Sequence, residues 1–321
     1  MNPRVAVLVP CYNEETAIAK VVRDFRAALP DAAIYVYDNN SRDQTVARAH
    51  EAGAIVRSEL RQGKGNVVRR MFADIEADLY VLVDGDDTYD ASVAPQMVAS
   101  LIAAGADILT ARRIHVDAAA YRMGHVFGNR LLTGLAATLF NVKLGDMLSG
   151  YRVFSRRFVK SFPLTAQGFG IETELTIHAV RLMMPMIETD TRYKERPVGS
   201  VSKLNTWRDG FRILSTIGYL VREERPLIFF SFFFLLAAIS LIIGAPVVSE
   251  FLQTGQVPRL PTAVLAMGLM LLGFLSLTCG LILDTVTRGR WELKRMSYLA
   301  FPGPLEFEID RPAPHRRHDD P

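Results

Sequence analysis

Three carboxylates lie close together in the segment Asp84-Gly85-Asp86-Asp87, directly after the apolar residues 79–83. Carboxylates at this spacing repel one another, and a nearby cation relieves the repulsion. Their hard oxygen atoms suit Mg²⁺ or Mn²⁺, above all when a diphosphate completes the coordination shell. A solvated acidic turn is the alternative interpretation, because Asp and Gly are common turn formers. The position of the segment in the fold has to decide between the two.

That position follows from the pattern of the first 111 residues. Short β-rich runs alternate with helix-like segments of about three turns, which predicts right-handed βαβ units and a mainly parallel sheet. Ligands of such sheets bind beyond the carboxyl ends of the strands. The acidic segment lies at one of those ends, which favours a metal and diphosphate site. The predicted strands are residues 5–9, 34–38, 54–57, 79–83 and 107–111, and the predicted helices are residues 14–29, 43–52, 66–76 and 91–104.

Polar residues follow the other predicted strands as well, at residues 10–15, 38–43 and 62–66. Because these strand ends meet at one edge of a parallel sheet, they predict a ligand site there. Two familiar phosphate-binding motifs are missing from the sequence. No G-x-G-x-x-G follows the first strand, and Gly63-Lys64-Gly65 lacks the spacing of a P-loop. A dehydrogenase or a P-loop NTPase is therefore disfavoured.

The composition limits the class of protein further. Of 321 residues, 50% are hydrophobic and 22% are charged, which indicates a folded chain with a large core. The net charge of +3, from 37 basic and 34 acidic residues, is too balanced for a nucleic-acid-binding protein. The two cysteines, Cys11 and Cys279, make no disulfide framework, so we expect a reducing, cytosol-facing environment.

Two long apolar segments predict membrane spans. Residues 227–248 and 260–283 contain no charged side chain, and a helix of this length measures roughly 33 Å, enough to cross a bilayer core. Basic residues flank the pair, which by the positive-inside rule places both ends and the 226 preceding residues in the cytosol. The sequence therefore predicts a multi-pass protein of the cytoplasmic membrane. The flanking residues are Arg222, Arg225, Arg288, Arg290, Lys294 and Arg295.

Four ordered motifs now carry a resemblance: Val9-Pro10-Cys11-Tyr12-Asn13-Glu14, Tyr37-Asp38-Asn39-Asn40-Ser41-Arg42-Asp43, Asp84-Gly85-Asp86 and Asp146-Met147-Leu148-Ser149-Gly150-Tyr151-Arg152. Together they resemble the family 2 inverting glycosyltransferases of GT-A fold, in the branch that acts on polyprenyl phosphates. The likeness covers about residues 4–225, and the two spans resemble those of membrane-anchored bacterial members. It implies an α/β fold with a Rossmann-like, mainly parallel sheet, followed by two transmembrane helices.

The resemblance implies a metal-dependent, inverting transfer of a sugar from a nucleotide-sugar, with a UDP-sugar favoured, to a polyprenyl phosphate on the cytosolic leaflet. The cofactor would be Mg²⁺ or Mn²⁺, held by Asp84 and Asp86. Residues 194–204 resemble a mobile basic loop that closes on the diphosphate. The residues implied in nucleotide binding are Pro10, Tyr12, Asn13, Glu14, Asp38, Asn39, Lys64, Asp84, Arg196 and Lys203.

The acceptor and catalytic positions come from the same resemblance. Arg112 and Arg122 match arginines that hold the acceptor phosphate in this family. Asp146 matches the candidate catalytic base, and Arg152 belongs to the same Asp-x-x-Ser-Gly-Tyr-Arg motif. The family often carries glutamine at the position of Thr88, so the identity of a third metal ligand stays open.

The predicted organisation has four parts: a cytosolic glycosyltransferase domain over residues 1–205, an amphipathic helix over 206–226, a transmembrane hairpin over 227–284 and a cytosolic tail over 285–321. The amphipathic segment either rests at the membrane surface or packs as an ordinary helix on its own domain. A homo-oligomer is expected, because relatives of this architecture assemble through their membrane helices.

Three alternative functions compete with this one. A GDP-mannose-dependent activity of the dolichol-phosphate mannose synthase type would change only the donor and the lipid. A processive polysaccharide synthase would need several more spans and a Gln-x-x-Arg-Trp motif, neither of which the sequence contains. A non-catalytic membrane scaffold would have no reason to keep both the metal-site carboxylates and the basic loop.

Overall fold

The computed structural model describes residues 3–115, 145–163, 170–197 and 227–304. The chain forms two compact units, one of residues 1–216 and 294–321 and the other of residues 217–293. The first unit is built on a seven-stranded sheet. Its strands are β1 (Val5–Cys11), β2 (Ala33–Asp38), β3 (Ile55–Ser58), β4 (Leu79–Leu82), β5 (Ile108–His115), β6 (Arg152–Ser155) and β7 (Met186–Tyr193).

Helices cover both faces of this sheet, because successive side chains of a strand point to opposite faces. On one face Val7 and Val9 of β1 belong to an apolar cluster with the first and fourth helices. On the other face Ala6 and Leu8 pack with the third and sixth helices. The α-helices among the described residues up to 197 are α1 (Ile18–Ala28), α2 (Thr45–Glu51), α3 (Lys64–Asp74), α4 (Ala94–Ala104), α5 (Arg156–Ser161) and α6 (Ile171–Arg181).

The strands are arranged in the order β3-β2-β1-β4-β6-β5-β7. Strands β3, β2, β1 and β4 run parallel to one another, and β5 runs parallel to β7, whereas β6, which lies between β4 and β5, runs antiparallel to both. The predicted α/β architecture with a mainly parallel sheet is confirmed. Strand β6 is not among the predicted elements, because a strand of four residues that begins with arginine lacks the pattern of a core strand.

The second unit contains most of two long helices, α7 (Leu227–Thr254) and α8 (Leu260–Leu299). Both are long and apolar enough to cross a membrane, as the sequence predicts. Ser240 Oγ donates a hydrogen bond to the Ala266 carbonyl at 2.7 Å, and Ser276 Oγ donates to the Phe229 carbonyl at 2.9 Å. Helix α8 continues to Leu299, past the predicted end of the hairpin at residue 284. The predicted amphipathic helix over 206–226 lies outside the described residues.

The last turn of α8 is bonded to the sheet through a buried carboxylate. Asp107 accepts hydrogen bonds from Ser155 Oγ at 2.6 Å, from Arg157 Nε at 2.5 Å and from Tyr298 Oη at 2.7 Å. The Arg157 guanidinium also lies 4.7 Å from the centre of the Tyr298 ring. Residues 294–321 belong to the first unit, so these contacts fasten the C-terminal part of that unit to its own sheet.

His178 of α6 lies in the apolar core beneath the sheet. Its ring meets Phe158 edge-on at 5.4 Å, and its Nε2 atom lies 3.2 Å from Ser161 Oγ. Burial, together with the charges of Lys294 and Arg181, lowers the pKa of His178 to about 3. The imidazole is therefore neutral in the folded protein over the range in which an unfolded histidine takes up a proton.

This neutral histidine predicts a loss of stability in acid. Between about pH 6.5 and the folded pKa of about 3, only the unfolded chain protonates this ring, so the free energy of unfolding should fall by about 1.4 kcal/mol per pH unit. In His178→Gln that contribution is absent, and the pH dependence should be shallower by that amount. Denaturation of both proteins in detergent, followed by circular dichroism at several pH values, measures the difference. Equal slopes would show that the folded protein carries the imidazolium.

Candidate active site

The turn after β1 is bonded to the turn after β2. The Asn13 backbone N–H donates to Ser41 Oγ at 2.8 Å, and the Glu14 N–H donates to Thr45 Oγ1 at 2.8 Å. Asn13 has a positive φ of 51°, a conformation that asparagine tolerates better than most residues. These bonds fix one edge of the sheet, which contains four of the predicted nucleotide-binding residues: Pro10, Tyr12, Asn13 and Glu14.

The end of β2 holds the loop that precedes α3. The Asn39 amide donates to the carbonyls of Glu59 and Arg61, both at 2.8 Å, and accepts from the Gly63 N–H at 2.7 Å. The neighbouring Asp38 is buried and accepts from the backbone N–H of its own turn. The Asn39 side chain thus holds the loop before α3 in place. Contact of Asp38 and Asn39 with a nucleotide stays a prediction.

Asp84 and Asp87 point to different partners. The backbone of Gly150 packs so closely on the Asp84 carboxylate that a Cβ atom there would overlap its oxygens. Gly150 is itself held by a hydrogen bond from its N–H to Tyr89 Oη at 2.9 Å. Asp87 instead lies 2.9 Å from Lys20 Nζ. Asp84 therefore belongs to the site at the carboxyl ends of the strands, and Asp87 forms a separate ion pair.

Asp86 is almost fully buried and is held on both sides. One oxygen accepts from Thr88 Oγ1 at 2.6 Å, and the other lies 2.6 Å from Arg196 Nη2. Burial and the negative charge of Asp84 raise the pKa of Asp86, although Arg196 and Thr88 oppose the rise. Burial is the larger cause of the rise, and the repulsion from Asp84, which a bound cation relieves, adds to it.

Arg196 lies at this site because it follows the end of β7. Beyond the strand, the Lys194 N–H donates to the Thr88 carbonyl at 2.8 Å, which ties the segment to the end of β4. Arg196 then contacts Asp86, and its Nη1 atom lies 3.8 Å from Glu14 Oε1. The basic residue predicted to meet a diphosphate thus lies beside the predicted metal carboxylates.

Lys64, the first residue of α3, bridges two acidic side chains. Its Nζ atom lies 2.6 Å from Asp84 Oδ1 and 2.5 Å from Glu172 Oε1. Burial alone would lower the pKa of Lys64, but the charges of Asp84 and Glu172 raise it above its ordinary value. The side chain therefore stays protonated at neutral pH.

The charges of this site suit a divalent cation. In the two ion-pair groups formed by Lys64 and Arg196, four carboxylates face two cations, an excess of two negative charges when all the carboxylates are ionised. No group of three or more metal-binding side chains occurs in the described part of the chain. Two carboxylates fit Mg²⁺ or Mn²⁺ when a diphosphate and water supply the other ligands. The carboxylates are Glu14, Asp84, Asp86 and Glu172, and the cations are Lys64 and Arg196.

Two adjacent arginines of β5 point in different directions, as neighbours on a strand do. Arg112 is half-exposed and lies 2.5 Å from Asp190 on β7. Arg113 is mostly buried and holds both oxygens of Asp146, at 2.6 and 2.8 Å, while its guanidinium lies 5.5 Å from the centre of the Tyr193 ring. The predicted catalytic base is therefore paired with an arginine for which the motifs predict no role.

Arg152 lies entirely inside the protein, with no exposed surface. It donates to the carbonyls of Ser149 and Met147, at 2.9 and 2.5 Å, and to Thr176 Oγ1 at 2.9 Å. This position makes it a support for the loop that contains Gly150. A catalytic role for Arg152 stays a prediction.

The predicted site and the site seen in the structure differ in some of their residues. Arg122 and Lys203 lie outside the described residues, so their roles stay predictions. The motifs assign no function to Arg113, Glu172 or Gly150. Strand alternation on β5 could have pointed to Arg113, whereas the partners of Glu172 and Gly150 come from distant parts of the chain.

This chain is similar to several known proteins. The family model described as "Glycosyl transferase family 2" matches residues 6–162. Glycosyltransferase AglJ of Haloferax volcanii is 32% identical over 298 residues, which cover 92% of this chain and 98% of that protein. The dolichyl-phosphate hexose transferase of the same organism is 28% identical over 221 residues, covering 69% of this chain and 95% of that protein.

The fold also has similar solved structures. One is glucosyl-3-phosphoglycerate synthase from Mycobacterium tuberculosis in complex with Mn²⁺, uridine-diphosphate-glucose and phosphoglyceric acid. It superimposes with a TM-score of 0.51 at 25% sequence identity and covers 61% of this chain and 74% of that chain. The similarity therefore lies mainly in the unit that contains the sheet.

The close contact between Gly150 and Asp84 predicts a selective defect. In Gly150→Ala the new methyl group should push the Asp84 carboxylate aside, since a side chain moves more easily than the backbone behind it. We expect the affinity for Mn²⁺ to fall about 10- to 100-fold, with a change in unfolding free energy below about 1 kcal/mol. Loss of the free-ion signal in electron paramagnetic resonance measures Mn²⁺ binding.

Gly303→Ala is the matched control, because its added Cβ would crowd only the end of the Arg157 side chain, away from the site. It should bind Mn²⁺ like the unaltered protein. Unchanged Mn²⁺ affinity in Gly150→Ala would show that the position of the Asp84 carboxylate does not determine metal binding.

Proposed function

This chain belongs to glycosyl transferase family 2, and we propose that within this family it transfers a sugar from a nucleotide-sugar to a polyprenyl phosphate. Its membership confirms the enzyme class and the GT-A type of fold predicted from the sequence. The observation that carries the proposal is the arrangement of Asp84, Asp86, Lys64 and Arg196 at the carboxyl ends of the parallel strands. Such an arrangement of acids and cations suits a nucleoside diphosphate bound with a divalent cation.

The leaving diphosphate is the demanding part of this reaction. As the bond between the anomeric carbon and the diphosphate oxygen breaks, negative charge grows on the leaving group. Asp84 and Asp86 would hold a divalent cation, which would supply Lewis-acid stabilisation of that charge. Arg196 and Lys64 add two fixed positive charges at the same edge. The relative that supports metal use is the synthase whose structure contains Mn²⁺ and uridine-diphosphate-glucose.

The proposed acceptor needs little help from a base. The second pKa of a phosphomonoester lies near 6, so a polyprenyl phosphate is largely ionised at neutral pH and can attack the anomeric carbon directly. The pairing of Asp146 with Arg113 fits this chemistry, because a carboxylate that holds a guanidinium can orient groups without taking up a proton. The name of the dolichyl-phosphate hexose transferase relative supports a lipid phosphate acceptor.

We place the reaction at the cytosolic leaflet of the cytoplasmic membrane. Two helices long and apolar enough to span a bilayer support attachment to the membrane, and the basic flanking residues support the orientation. A UDP-sugar is the proposed donor, and a homo-oligomer is the proposed assembly. A screen of UDP- and GDP-sugars with a short polyprenyl phosphate, followed by detection of the glycolipid, tests the donor directly.

Metal dependence gives a first prediction for turnover. Asp86→Ala should lower the rate of sugar transfer at least about 100-fold while the protein stays folded, because the buried carboxylate at the cation site is lost. EDTA should abolish turnover of the unaltered enzyme, and Mg²⁺ or Mn²⁺ should restore it. Asp87→Ala is the control, since that carboxylate pairs with Lys20 instead. Normal turnover by Asp86→Ala would refute the assignment of the metal site.

The acceptor arginine gives a second prediction. Arg112→Ala should raise the KM for polyprenyl phosphate by about 10-fold or more, as expected for loss of one charge-assisted hydrogen bond, with little change in the KM for the donor. Arg70→Ala is the control, because Arg70 pairs with Asp74 on the surface of α3. Steady-state kinetics with each substrate varied in turn separates the two KM values. An equal rise in both would argue against an acceptor role for Arg112.

A further inference from the structure

Lys64 is bonded to one of the two predicted metal ligands. The 2.6 Å contact between its Nζ atom and Asp84 Oδ1 places an ammonium group against an oxygen that a divalent cation would use. Two cations cannot approach one carboxylate oxygen independently, because they repel each other at short range. Metal binding at Asp84 therefore has to move the ammonium group away or share the carboxylate with it.

Glu172 provides a place for the ammonium group when Asp84 releases it. Glu172 Oε1 lies 2.5 Å from Lys64 Nζ, and only 8% of the Glu172 side chain is exposed to solvent. The backbone of Glu172 is fixed as well, since its carbonyl accepts from Thr176 Oγ1 at 3.0 Å and Thr176 accepts from the buried Arg152. Glu172 is thus a rigid second partner for a lysine whose contact with Asp84 competes with a divalent cation.

From this geometry we infer that Glu172 is a positioning residue that acts through Lys64. It keeps the ammonium group beside Asp84 before the divalent cation binds and retains it near the site afterwards, where it can meet the diphosphate of the donor. The inference rests on the proposed metal-dependent transfer. It assigns opposite effects to the two residues: Lys64 weakens metal binding by the free protein, and Glu172 strengthens it.

The buried charges explain why Lys64 and Glu172 have opposite effects on the affinity for the metal ion. Removal of Lys64 leaves Asp84 without a competing cation and adds to the excess negative charge of the site. Removal of the Glu172 charge reduces that excess and leaves the ammonium group bound to Asp84 alone. A purely structural role would produce a different result, because loss of either ion pair would then loosen the site and weaken metal binding in both variants.

Mn²⁺ titration of the full-length protein in detergent, without nucleotide or acceptor, tests the inference. By electron paramagnetic resonance, Lys64→Met should bind Mn²⁺ about tenfold more tightly than the unaltered protein, and Glu172→Gln about tenfold more weakly. In the Lys64→Met background the Glu172→Gln change should have a much smaller effect, since the two residues act through one contact. Both substitutions preserve the size of the side chain.

A second measurement follows the diphosphate. With Mn²⁺ at saturation, isothermal titration with UDP and with GDP should show weaker binding of the preferred nucleotide to Lys64→Met, the reverse of its effect on the metal. Lys160→Met is the matched control. That lysine is also mostly buried and paired, with Glu76 at 2.6 Å, but it lies on α5. The control should change neither affinity.

The possible outcomes separate the two proposals. If Lys64→Met binds Mn²⁺ no more tightly than the unaltered protein, or if Glu172→Gln binds it as tightly, the inference about Glu172 is wrong while the transferase proposal stands. If the unaltered protein binds Mn²⁺ only together with UDP or GDP, the inference about the free protein is wrong while the transferase proposal stands. If it binds no Mn²⁺ with or without UDP or GDP, the metal-dependent mechanism and the inference both fail.

Discussion

At the edge where β1 and β4 end, several carboxylates share a largely buried space with two cationic side chains, and the rest of the site depends on this balance of charge. An unpaired charge in such a space is costly, so each carboxylate must be held by a cation or by hydrogen bonds. Asp84 is paired with Lys64, and Asp86 with Arg196. The remaining excess of negative charge makes the site attractive to a divalent cation.

This balance requires loops that are held in place by buried polar groups. Asn39 fixes the loop that leads to Lys64, and the Thr88 carbonyl fixes the segment that leads to Arg196. Arg152 supports the loop that packs Gly150 on the Asp84 carboxylate. These polar groups pair with backbone groups that would otherwise be unpaired, and in doing so they position the charged residues.

Opposite charges are also paired at Asp146 and on the neighbouring strand β5. Arg113 holds Asp146 with two hydrogen bonds, so the carboxylate and the guanidinium neutralise each other beside the ring of Tyr193. Arg112, on the opposite face of the same strand, forms an ion pair with the partly exposed Asp190. A phosphate acceptor that is already ionised requires cations and orientation more than it requires a strong base.

The sequence by itself determined the parallel α/β sheet, the two apolar helices and the acidic segment of residues 84–86, because these depend on local periodicity and on the spacing of neighbouring residues. Only the tertiary structure decided which charged groups meet. Arg152 proved to be buried, Arg113 holds Asp146, and Lys64 is paired with Glu172, which lies 108 positions later. Such pairs depend on strand order and register, which bring distant segments together and which no local pattern of residues specifies.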